Sequence, residues 1–394
     1  MSAVAALIQT ELNRHVIAEF VGDPDGPTLI AVGSIHGNEP SGRLALERLS
    51  GRLGLLKKNL RGRVYLLLGN RRASEASARF IDCDLNRHWT RENILNNTRS
   101  PAGFAAEDAE QHDLLVIFRE ILKSARDEVY VLDLHTTSAG GAPFATVGDT
   151  LRNRRFAQMF PVTILLGIEE QLEGTMLEFL NNEGAVTLGF EAGQHEADTS
   201  IDNHESLVWL ALVNSGILSA ADAPDLEKHR QILKESTGNP GILEIRYRHA
   251  VSESDEFEMR PGFANFDRVK RGQLLATTRS GPVLAPETGC ILMPLYQRQG
   301  EDGFFIARKV ARIWLLVSET LRRAKIGDII HRFPGIRRHP KHPEKFQVDT
   351  KIARFFPLQI FHLLGFRRLR LHNNFILVTR RRHDTVSPFT EGRK

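Results

Sequence analysis

The chain has 394 residues, of which 41% are hydrophobic and 25% charged, and its formal net charge is +4 at pH 7. This length is enough for two or three domains, and the composition excludes a fibrous or largely disordered chain. Cys83 and Cys290 are the only cysteines, which excludes a disulfide framework and favours a reducing compartment. We find no signal-peptide pattern and no apolar run long enough for a membrane span, and therefore expect a cytoplasmic protein.

Apolar runs alternate with amphipathic segments over the first two hundred residues. The predicted strands are 15–21, 28–33, 63–68, 128–134, 162–166 and 185–191, and the predicted helices are 40–56, 107–125, 172–182 and 206–219. This alternation predicts an α/β fold with a mixed, mostly parallel sheet and helices on both faces. Ligands of such sheets bind beyond the carboxyl ends of the strands, where His36, His135 and Glu191 fall.

The pattern changes after residues 220–224, which we interpret as a domain boundary. Short β runs with Gly and Pro turns follow, and a helix is predicted over 310–325. We therefore predict an α/β domain at 1–222, a small β-rich domain with a closing helix at 223–326, and a basic C-terminal extension at 327–394.

Charge is distributed unevenly along the chain. Residues 308–394 contain 21 Lys and Arg against 6 Asp and Glu, whereas the remainder contains 31 against 42. The basic part could pack on the acidic body, or it could meet an anionic partner such as nucleic acid or a membrane surface. We prefer a packed, folded appendage, because Phe355, Phe356 and Phe366 fit a core and Pro357 interrupts any single amphipathic helix. Nucleic acid is thus not an expected partner, while an oligomer stays compatible with the sequence.

Two imidazoles and one carboxylate carry the main chemical signal. His36 and Glu39 lie three residues apart in a Gly-rich strand-to-helix turn, and His135 ends a later apolar strand. Taken singly, each is also typical of ordinary turns and core histidines. Together they form the three-ligand set of a catalytic zinc site, whose fourth position is left for water. Asp133 lies two residues before His135, on the same face of the strand, and could orient a ligand imidazole.

Two further elements could complete an active site. Glu191 ends an apolar strand, where a carboxylate serves either as a general base or as a solvated strand-end residue. Arg79, Asn86 and Arg87 could hold a substrate carboxylate and a developing oxyanion, although surface ion pairs fit the same spacing.

The segments GSIHGNE, DLNR, DLHTTS and GFEAG occur in this order. With them the chain resembles the succinylglutamate desuccinylase/aspartoacylase family, relatives of the zinc carboxypeptidases, over roughly residues 15–310. The resemblance implies a zinc carboxypeptidase-like catalytic domain. It also implies one Zn²⁺ per chain and hydrolysis of the amide bond of a small N-acyl amino acid.

The resemblance also implies roles for individual residues. His36, Glu39 and His135 would be the zinc ligands, and Glu191 the catalytic base. Arg79 would polarise the scissile carbonyl, and Asn86 and Arg87 would bind the carboxylate of the amino acid.

Two departures from the family pattern bear on the substrate. Aspartoacylases carry an arginine about ten residues before the catalytic Glu, whereas residues 180–184 here contain none, so N-acetylaspartate is not favoured. The family also uses a late tyrosine near the site, for which Tyr296 is the candidate here. A zinc carboxypeptidase-like peptidase remains the alternative enzyme, and an anionic-partner binding protein the alternative from another class.

Overall fold

The computed structural model describes residues 14–99, 105–168, 171–340, 342–349, 358–372 and 375–390. Phe355, Phe356 and Pro357, on which the prediction of a folded basic extension partly rests, lie outside these residues. Among the described helices, none combines the length and apolar character that crossing a membrane would need.

Strands from the whole length of the chain build one large sheet and two small ones. In chain order, the strands before the basic extension are β1 (Val16–Val21), β2 (Thr28–Gly33), β3 (Arg63–Leu68), β4 (Val129–Thr137), β5 (Phe144–Thr146), β6 (Thr163–Leu166), β7 (Val186–Gln194), β8 (Ile242–Ala250), β9 (Glu258–Met259), β10 (Arg268–Val269), β11 (Leu274–Thr278), β12 (Gly281–Leu284), β13 (Gly289–Leu292) and β14 (Asp302–Lys309). In the described part of the chain the large sheet has the order β1-β3-β2-β4-β7-β5-β6-β8-β14-β13-β10. Its centre, β3-β2-β4-β7, is parallel, and β1, β5 and the late strands add antiparallel pairs.

Helices cover both faces of this sheet. They are α1 (Pro40–Leu55), α2 (Arg71–Glu75), α3 (Arg91–Arg99), α4 (Ala106–Ser124), α5 (Leu151–Ala157), α6 (Met176–Asn182), α7 (Asp198–Asn214), α8 (Leu226–Thr237), α9 (Arg312–Arg323) and α10 (Leu358–Leu363). Every residue of β2 is buried, because alternate side chains enter opposite cores. Leu29 and Ala31 pack with helices α1 and α7, whereas Ile30 and Val32 pack with α4. The predicted mixed, mostly parallel α/β fold is confirmed.

The large sheet continues across the predicted boundary at residue 222, since β8 pairs in parallel with β6 and then with β14. The sequence patterns missed α8, which packs beside α7. The small sheet β12-β11-β9 lies over its own apolar core, which includes Met259, Leu275 and Phe304. The division into three domains stays a prediction.

The basic extension is folded in its described parts. Strands β15 (Ile336–His339), β16 (His342–Asp349), β17 (Phe366–His372) and β18 (Phe375–Arg380) form an antiparallel sheet in the order β15-β16-β18-β17. Phe346, Phe361, Phe366 and Val378 are buried in its core.

A cluster of ion pairs joins this sheet to the part of the chain that carries the large sheet. We call it the anchor cluster: Asp149, Arg154, Arg322, Arg381 and Asp384. Arg322 is 4% exposed and contacts Asp149 Oδ2 at 2.9 Å and Asp384 Oδ1 at 3.2 Å. Arg381 of the extension lies 4.0 Å from Asp149 Oδ2, so part of the basic charge of the extension is neutralised by an acidic group outside it.

Candidate active site

The turn after β2 places the first two candidate ligands. Glu39 is the N-cap residue of α1, with Pro40 in the first turn, but its carboxylate accepts no hydrogen bond from the helix. The side chain instead faces the imidazoles, so a position that usually caps a helix serves the site. Gly37 lets the turn pack closely against the backbone of Ala73, and it does not adopt an unusual φ angle. A Cβ there would lie 2.0 Å from the carbonyl carbon of Ala73.

Neighbouring strands supply the third ligand and the candidate base. His135 lies in β4 and Glu191 in β7, and the two are register partners in the parallel ladder. β4 continues past its predicted end at Leu134 to Thr137, so His135 lies inside the strand and not after it. β7 continues past its predicted last residue, Glu191, to Gln194. Side chains at partner positions lie on the same face of a sheet, and the pairing therefore sets Glu191 beside His135.

Each of the two imidazoles directs its Nδ1 atom towards the carboxylate of Glu39. His36 Nδ1 lies 2.8 Å from Glu39 Oε1, and His135 Nδ1 lies 3.1 Å from Glu39 Oε2. One ligand atom from each of the three residues lies within 4.8 Å of the others, and all three residues are buried. Two imidazoles and one carboxylate with these separations could hold a zinc ion.

The other nitrogen of each imidazole faces a buried carboxylate. His135 Nε2 lies 2.9 Å from Asp133 Oδ2, and His36 Nε2 lies 3.2 Å from Asp84 Oδ1. Metal-binding histidines usually have such a partner on the nitrogen that does not bind the metal. The sequence reasoning found Asp133 and missed Asp84. Asp84 lies two residues before Asn86 in the DLNR segment, and this position was the sequence signal that could have identified it.

Asp84 also organises the arginine loop around a short 3₁₀ segment, Leu85–Arg87. Its carboxylate accepts hydrogen bonds from the backbone N–H of Asn86 at 2.8 Å and from Arg79 at 3.1 Å. Arg79 also lies 3.4 Å from Glu39 Oε1, and the backbone N–H of Gly37 donates to the Arg79 carbonyl. Arg79 and Asn86 are therefore beside the ligand group.

Arg87 enters the same cavity but is held by a late strand. Its guanidinium forms an ion pair with Asp302 of β14 at 2.7 Å and donates to the carbonyl of Asn86. Arg248 shares the Asp302 carboxylate. Asp302 is a second residue that sequence reasoning missed, since more than two hundred positions separate it from Arg87.

The buried charges shift the pKa values of the site residues. Burial raises the pKa of Glu191 to about 8, and Glu39 and Asp133 add to the rise while His135 and Arg79 oppose it. Burial would also raise the pKa of Glu39, but His36 and His135 outweigh it and hold that pKa well below its ordinary value. Glu191 Oε2 is a buried oxygen with no hydrogen-bond partner among the described residues. Glu191 therefore has the uncommitted, proton-binding character that a general base requires.

Tyr296 does not reach the site. Its hydroxyl exchanges hydrogen bonds with the backbone of Arg260 and Phe263, and the side chain is 39% exposed. Asn181, in the segment 180–184 that lacks the arginine of aspartoacylases, donates to the Asn153 side chain and to the carbonyl of Ala185. Its amide nitrogen is thus engaged within the fold.

One cavity of about 930 Å³ contains the candidate residues. Its wall includes His36, Glu39, Arg79, Asn86, Arg87, Asp133, His135 and Glu191. Leu172, Leu177, Met293 and Leu295 add apolar wall, and Lys345 and Arg382 bring the C-terminal sheet to the same cavity. A volume of this size suits a small organic ligand.

Comparison with known proteins places the chain among hydrolases. Residues 25–207 match the sequence model of the succinylglutamate desuccinylase/aspartoacylase catalytic domain, and this match supports that family.

Two curated relatives share 25% identity with the chain. One is an N-acyl-aromatic-L-amino acid amidohydrolase (carboxylate-forming) from Xenopus laevis, aligned over 64% of this chain and 86% of the relative. The other is a probable aspartoacylase from Acaryochloris marina (strain MBIC 11017), aligned over 48% of this chain and 65% of the relative. The chain thus spans less than two thirds of the second relative.

Solved structures share the fold at lower identity. A succinylglutamate desuccinylase/aspartoacylase from Rhodobacter sphaeroides superposes with a TM-score of 0.56 at 18% identity, covering 75% of this chain and 88% of that one. The product-bound ectoine utilization protein EutE (DoeB) from Ruegeria pomeroyi gives a TM-score of 0.54 at 19% identity, covering 73% and 87%.

Proposed function

We propose that this protein is a zinc-dependent amidohydrolase that cleaves the amide bond of an N-acyl amino acid. The observation that carries the proposal is the convergence of His36, Glu39 and His135 at one side of the cavity, with Glu191 beside His135. Zinc bound by these three residues would act as a Lewis acid and lower the pKa of water.

The chain's own groups would manage protons and charge. Glu191 would take a proton from the attacking water and pass it to the leaving amine. Arg79 would stabilise the negative charge that develops on the scissile carbonyl oxygen. Asn86 and Arg87 would hold the α-carboxylate, and Asp302 keeps the Arg87 guanidinium in place for this task. Asp133 and Asp84 would orient the two imidazoles.

The cavity wall bears on the substrate class. Leu172, Leu177, Met293 and Leu295 can cover an apolar acyl group or side chain, and the name of the Xenopus laevis relative refers to aromatic amino acids. Both support an uncharged substrate half rather than N-acetylaspartate. The cavity volume of about 930 Å³ also admits a dipeptide, which keeps the peptidase alternative in the test.

The test measures metal content and amino acid release on the same purified sample. We expect one zinc per chain, and release from N-acetylated phenylalanine, methionine or glutamine that stops with a chelator and returns with zinc. His135→Ala should lose both metal and turnover. Metal retained in that variant would remove His135 from the ligand set, and cleavage of dipeptides in preference to N-acyl amino acids would favour the peptidase.

A further inference from the structure

Gln297 is a cavity residue contributed by the late β region. It lies between β13 and β14, one position after Tyr296, and outside the residues matched by the family model. Its side chain lines the same cavity as His36, His135 and Glu191. Tyr296 points away, whereas Gln297 and Glu301 of this loop line the cavity.

A single oxygen of Gln297 connects the loops that carry the candidate site residues. Its Oε1 accepts a hydrogen bond from Asn38 Nδ2 at 2.8 Å and lies 3.1 Å from His195 Nε2. His195 Nδ1 in turn lies 2.8 Å from the hydroxyl of Thr136. A neutral imidazole with its proton on Nε2 satisfies both of these contacts.

These partners are sequence neighbours of the candidate ligands and base. Asn38 precedes Glu39, Thr136 follows His135, and His195 lies four residues after Glu191. The Gln297 amide is therefore held in a defined orientation by the frame of the site. Because two donors occupy Oε1, the amide N–H groups are directed away from that frame, and no described residue accepts from Nε2.

We propose that Gln297 is a specificity residue whose fixed Nε2 amide donates a hydrogen bond to an uncharged acceptor oxygen of the substrate. This inference rests on the proposed function. The acceptor is distinct from the α-carboxylate, which is assigned to Asn86 and Arg87.

The charge balance of the site favours a neutral acceptor over an anionic one. Four carboxylates surround the ligand group: Glu39, Asp84, Asp133 and Glu191. The side chains that contact Gln297 directly, Asn38 and His195, carry no positive charge in these hydrogen bonds. An anionic substrate group at Gln297 would therefore meet only a neutral donor.

Replacing Gln297 with two different side chains separates donation from positioning. Gln297→Glu keeps the oxygen that accepts from Asn38 and His195 but removes the N–H donors. Gln297→Met has similar length and removes both functions. Gln299→Ala is the matched control, because Gln299 is exposed in the same loop and does not line the cavity.

The probes are N-acetyl-L-glutamine and N-acetyl-L-methionine, which differ in a neutral acceptor oxygen at similar size. We expect Gln297→Glu and Gln297→Met to lower kcat/KM for the glutamine substrate about tenfold or more, mainly through KM, with unchanged zinc content. Gln299→Ala should match the wild type. Wild-type KM values in Gln297→Glu for both substrates, with loss only in Gln297→Met, would make Gln297 a positioning residue and overturn the proposal.

A binding measurement distinguishes a failure of the Gln297 proposal from a failure of the proposed amidohydrolase function. If the wild type releases no amino acid, the proposed function fails. Thermal shifts of the zinc-loaded wild type and Gln297→Glu with millimolar N-acetyl-L-glutamine then decide the role of Gln297. A ligand-induced shift in the wild type that is smaller in the variant supports the donor role, and equal or absent shifts in both overturn it.

Discussion

Two groups of charged side chains in the molecule differ in sign. The anchor cluster around Asp149 contains more arginines than carboxylates, whereas the site cluster around His135 (Glu39, Asp84, Asp133, Glu191 and Arg79) contains more carboxylates than arginines. In the anchor cluster, Arg154, Arg322 and Arg381 surround Asp149, and backbone carbonyls accept the remaining guanidinium N–H groups. In the site cluster, carboxylates exceed the arginines, and a buried oxygen of Glu191 is left without a partner. The first arrangement satisfies its own charges and holds two parts of the chain together. The second is suited to a cation and a substrate, as expected of a functional site.

The largest effect should follow the loss of the candidate base. Glu191→Gln keeps the shape of the side chain but removes its proton affinity, so turnover should fall about 10²–10⁴-fold with zinc content unchanged. Release of amino acid from the N-acetyl panel measures this effect. Glu196→Gln is the matched control, an exposed glutamate five residues along, and should retain turnover. Full activity of Glu191→Gln would remove Glu191 as the base.

The anchor cluster should respond in stability. Arg322→Ala removes a buried ion pair to Asp149 and a second one to Asp384, and should lower the free energy of unfolding by about 3–5 kcal/mol. Arg323→Ala, on the same helix but with an exposed ion pair to Glu319, should change it by under about 1 kcal/mol. Denaturant unfolding of both variants provides the measurement. Equal effects of the two substitutions would mean that the buried cluster does not hold the C-terminal sheet.

The two site arginines should separate in kinetics. Arg79→Ala removes a group that acts on the developing oxyanion, and should mainly lower kcat, by about 10²–10³-fold. Arg87→Ala removes binding shared by the ground and transition states, and should mainly raise KM. Steady-state kinetics on the best N-acyl substrate distinguish these outcomes. A pure KM effect of Arg79→Ala would contradict its oxyanion role.

The pH dependence of stability should have opposite signs in the two clusters. Glu191, with a pKa raised to about 8, weakens the folded metal-free chain as pH rises from about 4 towards 8. Asp149, whose pKa the arginines hold low, stabilises the fold above about pH 4, and this stabilisation is lost on acidification. In thermal unfolding without metal, the stability of Glu191→Gln relative to the wild type should increase as pH rises from about 4 towards 8. The stability of Asp149→Asn relative to the wild type should decrease as pH rises to about 4 and then stay constant. A pH-independent difference for Glu191→Gln would contradict the raised pKa.

Local patterns in the sequence were sufficient for the main fold class and for several candidate residues. Apolar runs predicted most strands of the large sheet, because a strand buried on both faces contains few polar residues. They missed the short strands β5 and β10. The spacing of His36 and Glu39 predicted a shared site, since residues three apart in one turn lie close together. The same patterns ended β4 at Leu134 and β7 at Glu191, too early in both cases, because each strand continues past its apolar run.

These local patterns could not predict contacts between residues that are distant in the sequence. Asp302 holds Arg87, Asp84 faces His36, and Gln297 contacts Asn38 and His195, each across dozens to hundreds of positions. A sequence period carries no information about which distant polar side chains meet. Tyr296 is an example. The sequence identified its loop as part of the site, but it did not show that Tyr296 faces away from the cavity while its neighbour Gln297 lines it.

The sequence by itself determined the alternation of strands and helices, the family and the His36–Glu39 pair, because burial and short spacing act over a few residues. The tertiary structure decided that His135 and Glu191 are partners in one ladder, because strand order depends on the packing of the whole chain. It also decided that the basic extension is folded in its described parts, with Arg381 and Asp384 in ion pairs to Asp149 and Arg322. Composition can show an excess of charge, but only packing selects which charges pair and which remain available to a ligand.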